Sequence, residues 1–151
     1  MQIKEAVDIL EHLCKLLEDP DFQVALPTLV RAYLESKRFE EAVKLLELAV
    51  RIQMGRAETH PDRLSSEHEL GYAYLENEQI QESIKLLEHV VKIQAITLAP
   101  RHPFRLASQH VLGQAYFRNR QIDEAVKLLE HVVRIRAITL AETPGAVVIG
   151  A

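Results

Sequence analysis

The sequence has one cysteine, no tryptophan, and only five glycines and six prolines among its 151 residues. A lone Cys14 cannot form a disulfide within the chain or supply a cysteine zinc site, and this usage fits a reducing compartment. No apolar run approaches the roughly 18 residues that a membrane-spanning helix needs, and the N-terminus lacks the apolar core of a signal peptide. We therefore expect a cytoplasmic protein with no membrane partner.

Basic residues are also too few for a general nucleic-acid binder. Eighteen Lys and Arg stand against 22 Asp and Glu, which gives a net charge of −4, whereas nucleic-acid-binding proteins usually carry a basic excess. Four Phe and four Tyr offer little surface for base stacking. We therefore expect no nucleic-acid partner. Leu, Ala, Val, Glu, Lys and Arg dominate instead, and this composition favours an all-helical domain.

The chain is organised by an internal repeat. Residues 60–101 and 102–143 align at an offset of 42 residues without a gap, and both begin with His-Pro. The segment Glu124–Ile135 recurs earlier in similar form as Glu5–Leu16, Glu41–Ile52 and Glu82–Ile93. The single domain 1–151 is therefore predicted to contain a half-unit helix (1–19), three full repeats (20–59, 60–101 and 102–143) and a tail (144–151).

Each full repeat has two stripes of apolar residues at helical spacing, separated by a short polar break. In the third repeat, Pro103 suits a first helical turn, and the second stripe runs from Ile122 to about Ala141. The same pattern predicts helices near 2–18, 22–36, 38–56, 62–77 and 79–98. One hairpin of this kind cannot cover its own apolar faces, so we expect antiparallel helix pairs stacked into an all-α solenoid.

The repeat resembles the tetratricopeptide repeat (TPR), whose pattern places Leu-Gly and then Tyr on the first helix and small and bulky apolar residues on the second. The matching positions are Leu29, Val30, Tyr33, Ala42, Leu46 and Ala49; Leu70, Gly71, Tyr74, Ser83, Leu87 and Val90; and Leu112, Gly113, Tyr116, Ala125, Leu129 and Val132. The 42-residue period resembles the kinesin-light-chain type of repeat, and the repeat sequence is similar to those of TPR arrays in fungal NOD-like receptor proteins. The resemblance implies a right-handed solenoid of about 3.5 TPR-like units that serves as a non-catalytic protein-interaction scaffold.

Seven histidines could indicate a metal site or a general base, but each occupies a recurring position of the repeat. Equivalent positions lie about 10 Å apart for each packed helix layer, which is too far to share one metal ion. The sequence also lacks a Gly-rich phosphate loop and the GxSxG, HExxH and CxxC motifs. We therefore expect no catalytic residues, no metal and no cofactor, and hence no enzyme.

The resemblance implies a partner-binding surface on the concave side, formed by the first helix of each repeat. The predicted residues are Arg31, Leu34, Glu35, Ser65, His68, Tyr72, Leu75, Glu76, His110, Gln114, Phe117 and Arg118. Such a groove suits an extended peptide or a helix of a protein partner. The alternative is a small-ligand-binding protein or enzyme that uses the inner pocket around His68, Tyr72, His110 and Arg118.

Neither end of the array has a polar cap, because the chain opens with the second helix of a repeat and its last helix stays apolar. Large exposed apolar patches are rare on monomers, so we expect a homodimer or higher homo-oligomer. The predicted self-association residues are Ile3, Leu10, Cys14, Val133, Ile138 and Leu140. The chain could be a piece of a longer array or a complete small protein, and a purely structural oligomer is a third functional class consistent with these ends.

Overall fold

The computed structural model describes residues 18–144 and, before them, six single positions: Lys4, Glu5, Asp8, Glu11, His12 and Lys15. Those six positions have helical backbone and exposed side chains. Ile3, Leu10, Cys14 and the tail from residue 145 lie outside the described residues. The expectations that concern them, and the division into repeats at the stated bounds, stay predictions.

The described residues contain six helices and no strand. The helices are α1 (Pro20–Glu35), α2 (Phe39–Gln53), α3 (Pro61–Glu76), α4 (Ile80–Thr97), α5 (Pro103–Arg118) and α6 (Ile122–Ala141). Every helix predicted between residues 20 and 141 is present, with its ends within three residues of the prediction. The all-α fold class is therefore confirmed.

The first helix of each repeat begins with the same capping arrangement. The side chains of Asp19, His60 and His102 accept backbone N–H groups of the first turn, and a proline follows each of them at the start of the helix. The His60 and His102 Nδ1 atoms each accept at 3.1 Å, from the N–H groups of Asp62 and Phe104. Proline has no N–H that would need a partner there, so the recurrent His-Pro pair is a helix-start signal with a structural role for both histidines.

The turn between the two helices of each repeat contains a residue with left-handed backbone. Lys37, Glu78 and Arg120 have φ values of 61°, 65° and 64°, although none is a glycine. This conformation is unfavourable for residues with a side chain. Its recurrence at three equivalent positions indicates that the tight change of chain direction requires it.

The chain forms two compact halves, Met1–Asn77 and Glu78–Ala151. In the N-terminal half α2 packs against both α1 and α3, and in the C-terminal half α5 packs against both α4 and α6. The buried apolar residues are Val30, Ala42, Val43, Leu46, Ala49, Leu64, Leu70, Ala73 and Leu75 in the first half, and Ile84, Leu87, Val90, Ile93, Leu106, Leu112, Ala115, Ala125 and Val132 in the second. Most of the predicted repeat positions thus belong to the core.

Small residues allow close helix packing at defined points of this core. Ala42 and Ala125 are fully buried. Gly113 of α5 faces α6 so closely that a Cβ atom at this position would lie 2.6 Å from Leu129 Cδ2. The glycine of the Leu-Gly pair is therefore required by packing against the second helix of the same repeat.

Candidate functional site

A tyrosine of a first helix donates a hydrogen bond to a glutamate of the preceding second helix in both halves. In the N-terminal half Tyr74 Oη lies 2.8 Å from Glu47 Oε2, and in the C-terminal half Tyr116 Oη lies 3.0 Å from Glu88 Oε1. Burial, reinforced by the hydrogen bond to Glu88, raises the pKa of Tyr116 to about 12. These bonds mark the surface on which a second helix receives the next first helix.

An arginine at the start of the first helix reinforces the same contact. Nη1 of Arg63 donates to the carbonyl of Arg56 at 2.8 Å, and Nη1 of Arg105 donates to the carbonyl of Leu98 at 3.0 Å. Arg63 also forms a buried ion pair with Glu67, with 3.2 Å between Nε and Oε1. In the C-terminal half Gln109 occupies the glutamate position, and its Oε1 atom and Arg105 Nε are buried without hydrogen-bond partners. This difference between the repeats was not anticipated from the sequence.

In the N-terminal half most of the predicted partner-binding residues reach the surface. Arg31, Glu35, Ser65 and Tyr72 are exposed, and Leu34, His68 and Glu76 are half-buried. Ser65, His68, Tyr72 and Glu76 follow helical spacing and form one stripe along α3, which we name the α3 stripe. Burial lowers the pKa of His68 and, with the charge of Glu76, raises that of Tyr72. Leu75 differs from the others, since its side chain is only 1% exposed and belongs to the core.

The predicted residues of the C-terminal half form a second stripe, on α5, which we name the α5 stripe. His110, Gln114, Phe117 and Arg118 are all exposed on this helix. Phe117 is 60% exposed, although its counterpart in α3 is the buried Leu75. The Arg118 guanidinium pairs with the carboxylate of Glu78 beside it. An exposed aromatic ring among polar groups is typical of an anchor at a protein interface.

Val126 of α6 is exposed where its counterparts on α2 and α4 are buried. Val126 is 47% exposed, whereas Val43 of α2 and Ile84 of α4 are 4% and 8% exposed. The difference arises because α2 packs against α3 and α4 against α5, so each of these second helices receives a following first helix. We define the α6 face as Ile122, Val126, Val133 and Leu140, all exposed. On α4 the counterparts of these residues are buried at Ile84 and half-buried at Ile80, Val91 and Leu98.

Two of the predicted self-association residues in the described part, Val133 and Leu140, belong to the α6 face. Ile138 is also exposed, but its counterpart Ile96 in α4 is exposed as well. Since α4 already packs against α5, position 138 lies outside the surface that a following helix covers.

Each half also contains an open cavity. A cavity of about 600 Å³ in the C-terminal half is lined by Leu112, Tyr116, Glu124, Lys127, Leu128, Glu130, His131 and Arg134. A more polar one of about 450 Å³ in the N-terminal half is lined by Glu18, Gln23, Leu26, Pro27, Ile52, Gln53, Arg56, Asp62, Ser65, Ser66 and Glu69. Neither cavity contains His68, Tyr72, His110 or Arg118, the residues of the small-ligand alternative.

The part of the chain that the structure describes offers neither a cluster of metal ligands nor a helix that could span a membrane. No group of three or more His, Cys, Asp or Glu side chains there could hold a metal ion. None of the helices of that part is long and apolar enough to cross a membrane.

Comparison with known proteins identifies the repeat type. Residues 23–94 and 62–137 match the family described as tetratricopeptide repeat. The chain is similar to a crystal structure from Podosopora anserina named for kinesin light chain and nearly identical TPR-like repeats, with 50% identity and a TM-score of 0.76, covering 85% of this chain and 62% of that one. A point variant of that protein gives 48% identity and a TM-score of 0.72, covering 95% of this chain and 71% of that one. No curated protein matches.

The predicted TPR-type α-solenoid fold and the kinesin-light-chain-like repeat are confirmed by this similarity. The chain spans 62% of the length of the first of these relatives.

Proposed function

This chain belongs to the tetratricopeptide repeat family, whose members generally act as protein-interaction scaffolds, and on that premise we propose that it is a cytoplasmic, non-catalytic module that binds a peptide or a helix of a protein partner. The observation that carries the proposal is the exposed aromatic ring on each of two first helices. Tyr72 lies in the α3 stripe and Phe117 in the α5 stripe, and each stripe also contains a histidine and charged or polar groups.

Each stripe offers complementary kinds of contact. The rings of Tyr72 and Phe117 provide apolar area that loses little conformational freedom when a partner covers it. Gln114 can both donate to and accept from a peptide backbone, and Glu76 and Arg118 can select charged side chains. On α1, Arg31, Leu34 and Glu35 extend the same kind of surface.

The proposal is tested by phage-display selection of random dodecapeptides on the full chain, followed by affinity measurement with the selected peptides. We expect Phe117→Ala to weaken binding about tenfold, which corresponds to about 1.4 kcal/mol. The matched control is Ile96→Ala, which removes an exposed apolar side chain of the same half from outside the stripe. Selection of no peptide, or equal losses in both variants, would contradict the proposal.

We also propose that the chain self-associates. The exposed α6 face, with Val133 and Leu140, supports this part, and the sequence adds Ile3, Leu10, Cys14 and Ile138 as candidate contacts. Apolar surface of this kind is stabilised by burial at about 25 cal/mol for each Å² removed from water. Sedimentation velocity should therefore show a species heavier than the monomer whose fraction rises with concentration.

A further inference from the structure

The cavity of about 450 Å³ in the N-terminal half lies where α1, α2 and α3 meet, because side chains of all three helices line it. Ser65 belongs both to this lining and to the α3 stripe, so the cavity adjoins the proposed peptide-binding surface. Its volume lies within the usual range of ligand pockets, about 300–1,000 Å³. A peptide that follows the α3 stripe can therefore direct one of its side chains into the cavity.

The lining of the cavity contains hydrogen-bond acceptors that the described residues leave without donors. The Oε1 atom of Gln53 is buried and accepts no hydrogen bond from them. The carboxylate of Glu69 is half-buried and forms no hydrogen bond or ion pair within the same part of the chain. Burial raises the pKa of Glu69, as expected for a carboxylate that has left water without gaining a cation. A donor would stabilise both groups, and a positively charged donor would stabilise Glu69 most.

Arg56, the basic residue among the described lining, already has its own partners. Its Nη1 atom lies 3.1 Å from Asp62 Oδ2 and 3.1 Å from His60 Nε2. Arg56 therefore balances the charge of Asp62. The carboxylates of Glu18 and Glu69, which also line the cavity, have no cation partner in the described residues.

The net charge of this half of the chain favours the same kind of ligand. Met1–Asn77 contains 15 Asp and Glu against nine Lys and Arg, a net charge of −6, whereas Glu78–Ala151 contains seven against nine, a net charge of +2. A cationic segment is therefore attracted to the N-terminal half before it makes any contact. Among the side chains of a peptide, a basic one fits the cavity best.

Resting on the proposed peptide binding, we propose that the cavity of the N-terminal half receives an arginine side chain of the peptide partner. The guanidinium is planar and presents five N–H donors, so it can bind the Glu69 carboxylate through two of them and still donate to Gln53 Oε1. A lysine ammonium is more strongly hydrated and loses more on leaving water. Ser65 and Tyr72 are seven residues apart on α3, or about 10 Å, which an extended peptide spans in about three residues. The partner therefore carries its arginine about three residues from the apolar residue that contacts Tyr72.

The small molecule N-acetyl-arginine amide tests the pocket without a peptide. In heteronuclear NMR titrations of the full chain at low salt, it should bind with a Kd on the order of 1 mM, as a single side chain does, and shift the backbone amides of Gln53, Ser66 and Glu69. N-acetyl-citrulline amide has nearly the same shape without the charge and should cause no saturable shift. Equal shifts with both probes, or saturable shifts only outside the cavity, would overturn the inference.

Two variants and a matched control locate the site. Glu69→Gln should weaken binding of the arginine probe about tenfold, because the bidentate ion pair is lost. Gln53→Leu should weaken it severalfold and yet unfold at the same or a higher urea concentration, because it removes a buried acceptor that has no donor in the described residues. Glu58→Gln removes the same charge from an exposed position outside the cavity and should leave the affinity unchanged. Equal losses in Glu58→Gln and Glu69→Gln would indicate diffuse charge attraction and overturn the pocket.

The peptides selected by phage display separate this inference from the proposed function. Replacing their arginine by citrulline should weaken binding to the unmodified chain about tenfold and binding to Glu69→Gln hardly at all, because both changes remove the same ion pair. Tight binding of peptides without arginine would overturn the arginine pocket while the proposed function stands. Selection of no peptide would contradict the proposed function itself. Saturable binding of spermidine at the cavity, tighter than that of the arginine probe, would identify a free polyamine as the ligand and overturn the peptide as its source.

Discussion

Tyr116 of α5 and Glu88 of α4 are joined by a 3.0 Å hydrogen bond, and one repeat earlier Tyr74 of α3 and Glu47 of α2 are joined in the same way at 2.8 Å. In each case a long apolar contact between two helices is accompanied by one directional bond. Burial of apolar area supplies most of the stabilisation but tolerates sliding, whereas a phenol and a carboxylate must meet at one register. The pair therefore fixes how a first helix sits on the second helix before it.

We expect Tyr74→Phe to lower the free energy of unfolding by about 1 kcal/mol, because the ring stays in place while the hydrogen bond to Glu47 is lost. The loss is measured as a lower midpoint of urea unfolding with an unchanged slope. Tyr33→Phe is the matched control, since the Tyr33 ring instead stacks 4.8 Å from the Arg38 guanidinium, a contact that phenylalanine preserves. Equal losses in the two variants would show that the bond to Glu47 contributes nothing.

Glu67 and Gln109 occupy equivalent positions in different electrostatic settings, so exchanging their side-chain types should have effects of opposite sign. Glu67→Gln leaves the buried Arg63 guanidinium without its anion and should lower stability by about 1–3 kcal/mol. Gln109→Glu places a carboxylate beside the unpartnered Nε of Arg105 and should raise stability by about 1 kcal/mol.

Gln114→Glu controls for the change in net charge, since it adds the same charge at an exposed position of α5 and should leave stability unchanged within about 0.5 kcal/mol. All three variants are compared by urea unfolding at one pH and ionic strength. A destabilised Gln109→Glu variant would mean that burying the carboxylate costs more than its pairing with Arg105 returns.

Gly113 should tolerate a methyl group only when Leu129 is shortened. Alanine favours a helix over glycine by about 1 kcal/mol, but a Cβ atom at 113 would overlap Leu129 Cδ2, and such overpacking costs about 1–3 kcal/mol. Gly113→Ala should therefore destabilise the protein, whereas the same substitution in a Leu129→Ala background should stabilise it. Gly55→Ala is the control, because nothing lies within 4 Å of a Cβ atom there. Stabilisation by Gly113→Ala alone would contradict the close approach.

The helices and the core followed from the sequence because they depend on local rules repeated three times. The His-Pro starts, the polar breaks and the small residues at Ala42 and Ala125 each recur at fixed spacing, and each has one structural solution. Whether a position is covered depends instead on which helix lies beside it. Val126 and Ile84 are equivalent in sequence and differ only because α5 packs against α4, so periodicity alone could not separate them.

The candidate partner surface was predicted less completely for a similar reason. The repeat register places Leu75 and Phe117 at one position, yet the first is core and the second is exposed. The unpaired polar atoms of Arg105 and Gln109 could have been suspected from the sequence. In one repeat a glutamate stands four residues after the arginine, whereas the equivalent residue of the next repeat is a glutamine. Recognising that signal required knowing that residues four apart on this helix side are buried together.

The raised pKa of Tyr116 predicts a loss of stability in alkali. Burial, the hydrogen bond to Glu88 and the charges of Glu88 and Glu124 move this pKa from 10.0 to about 12. Below pH 10 the phenol is protonated in both folded and unfolded chains, so its bond to Glu88 contributes fully. Between pH 10 and about 12 only the unfolded chain releases the proton, and the free energy of unfolding therefore falls with pH in this window.

Subtracting the tyrosinate absorbance titration of Tyr116→Phe from that of the unmodified chain isolates one step, expected near pH 12. Glu88→Gln should move this step toward 10 without reaching it, because burial persists when the carboxylate is removed, whereas Glu47→Gln in the other half should leave it in place. A Tyr116 step that already lies at its ordinary pKa in the unmodified chain would mean that the phenol is neither buried nor bonded to Glu88 in solution.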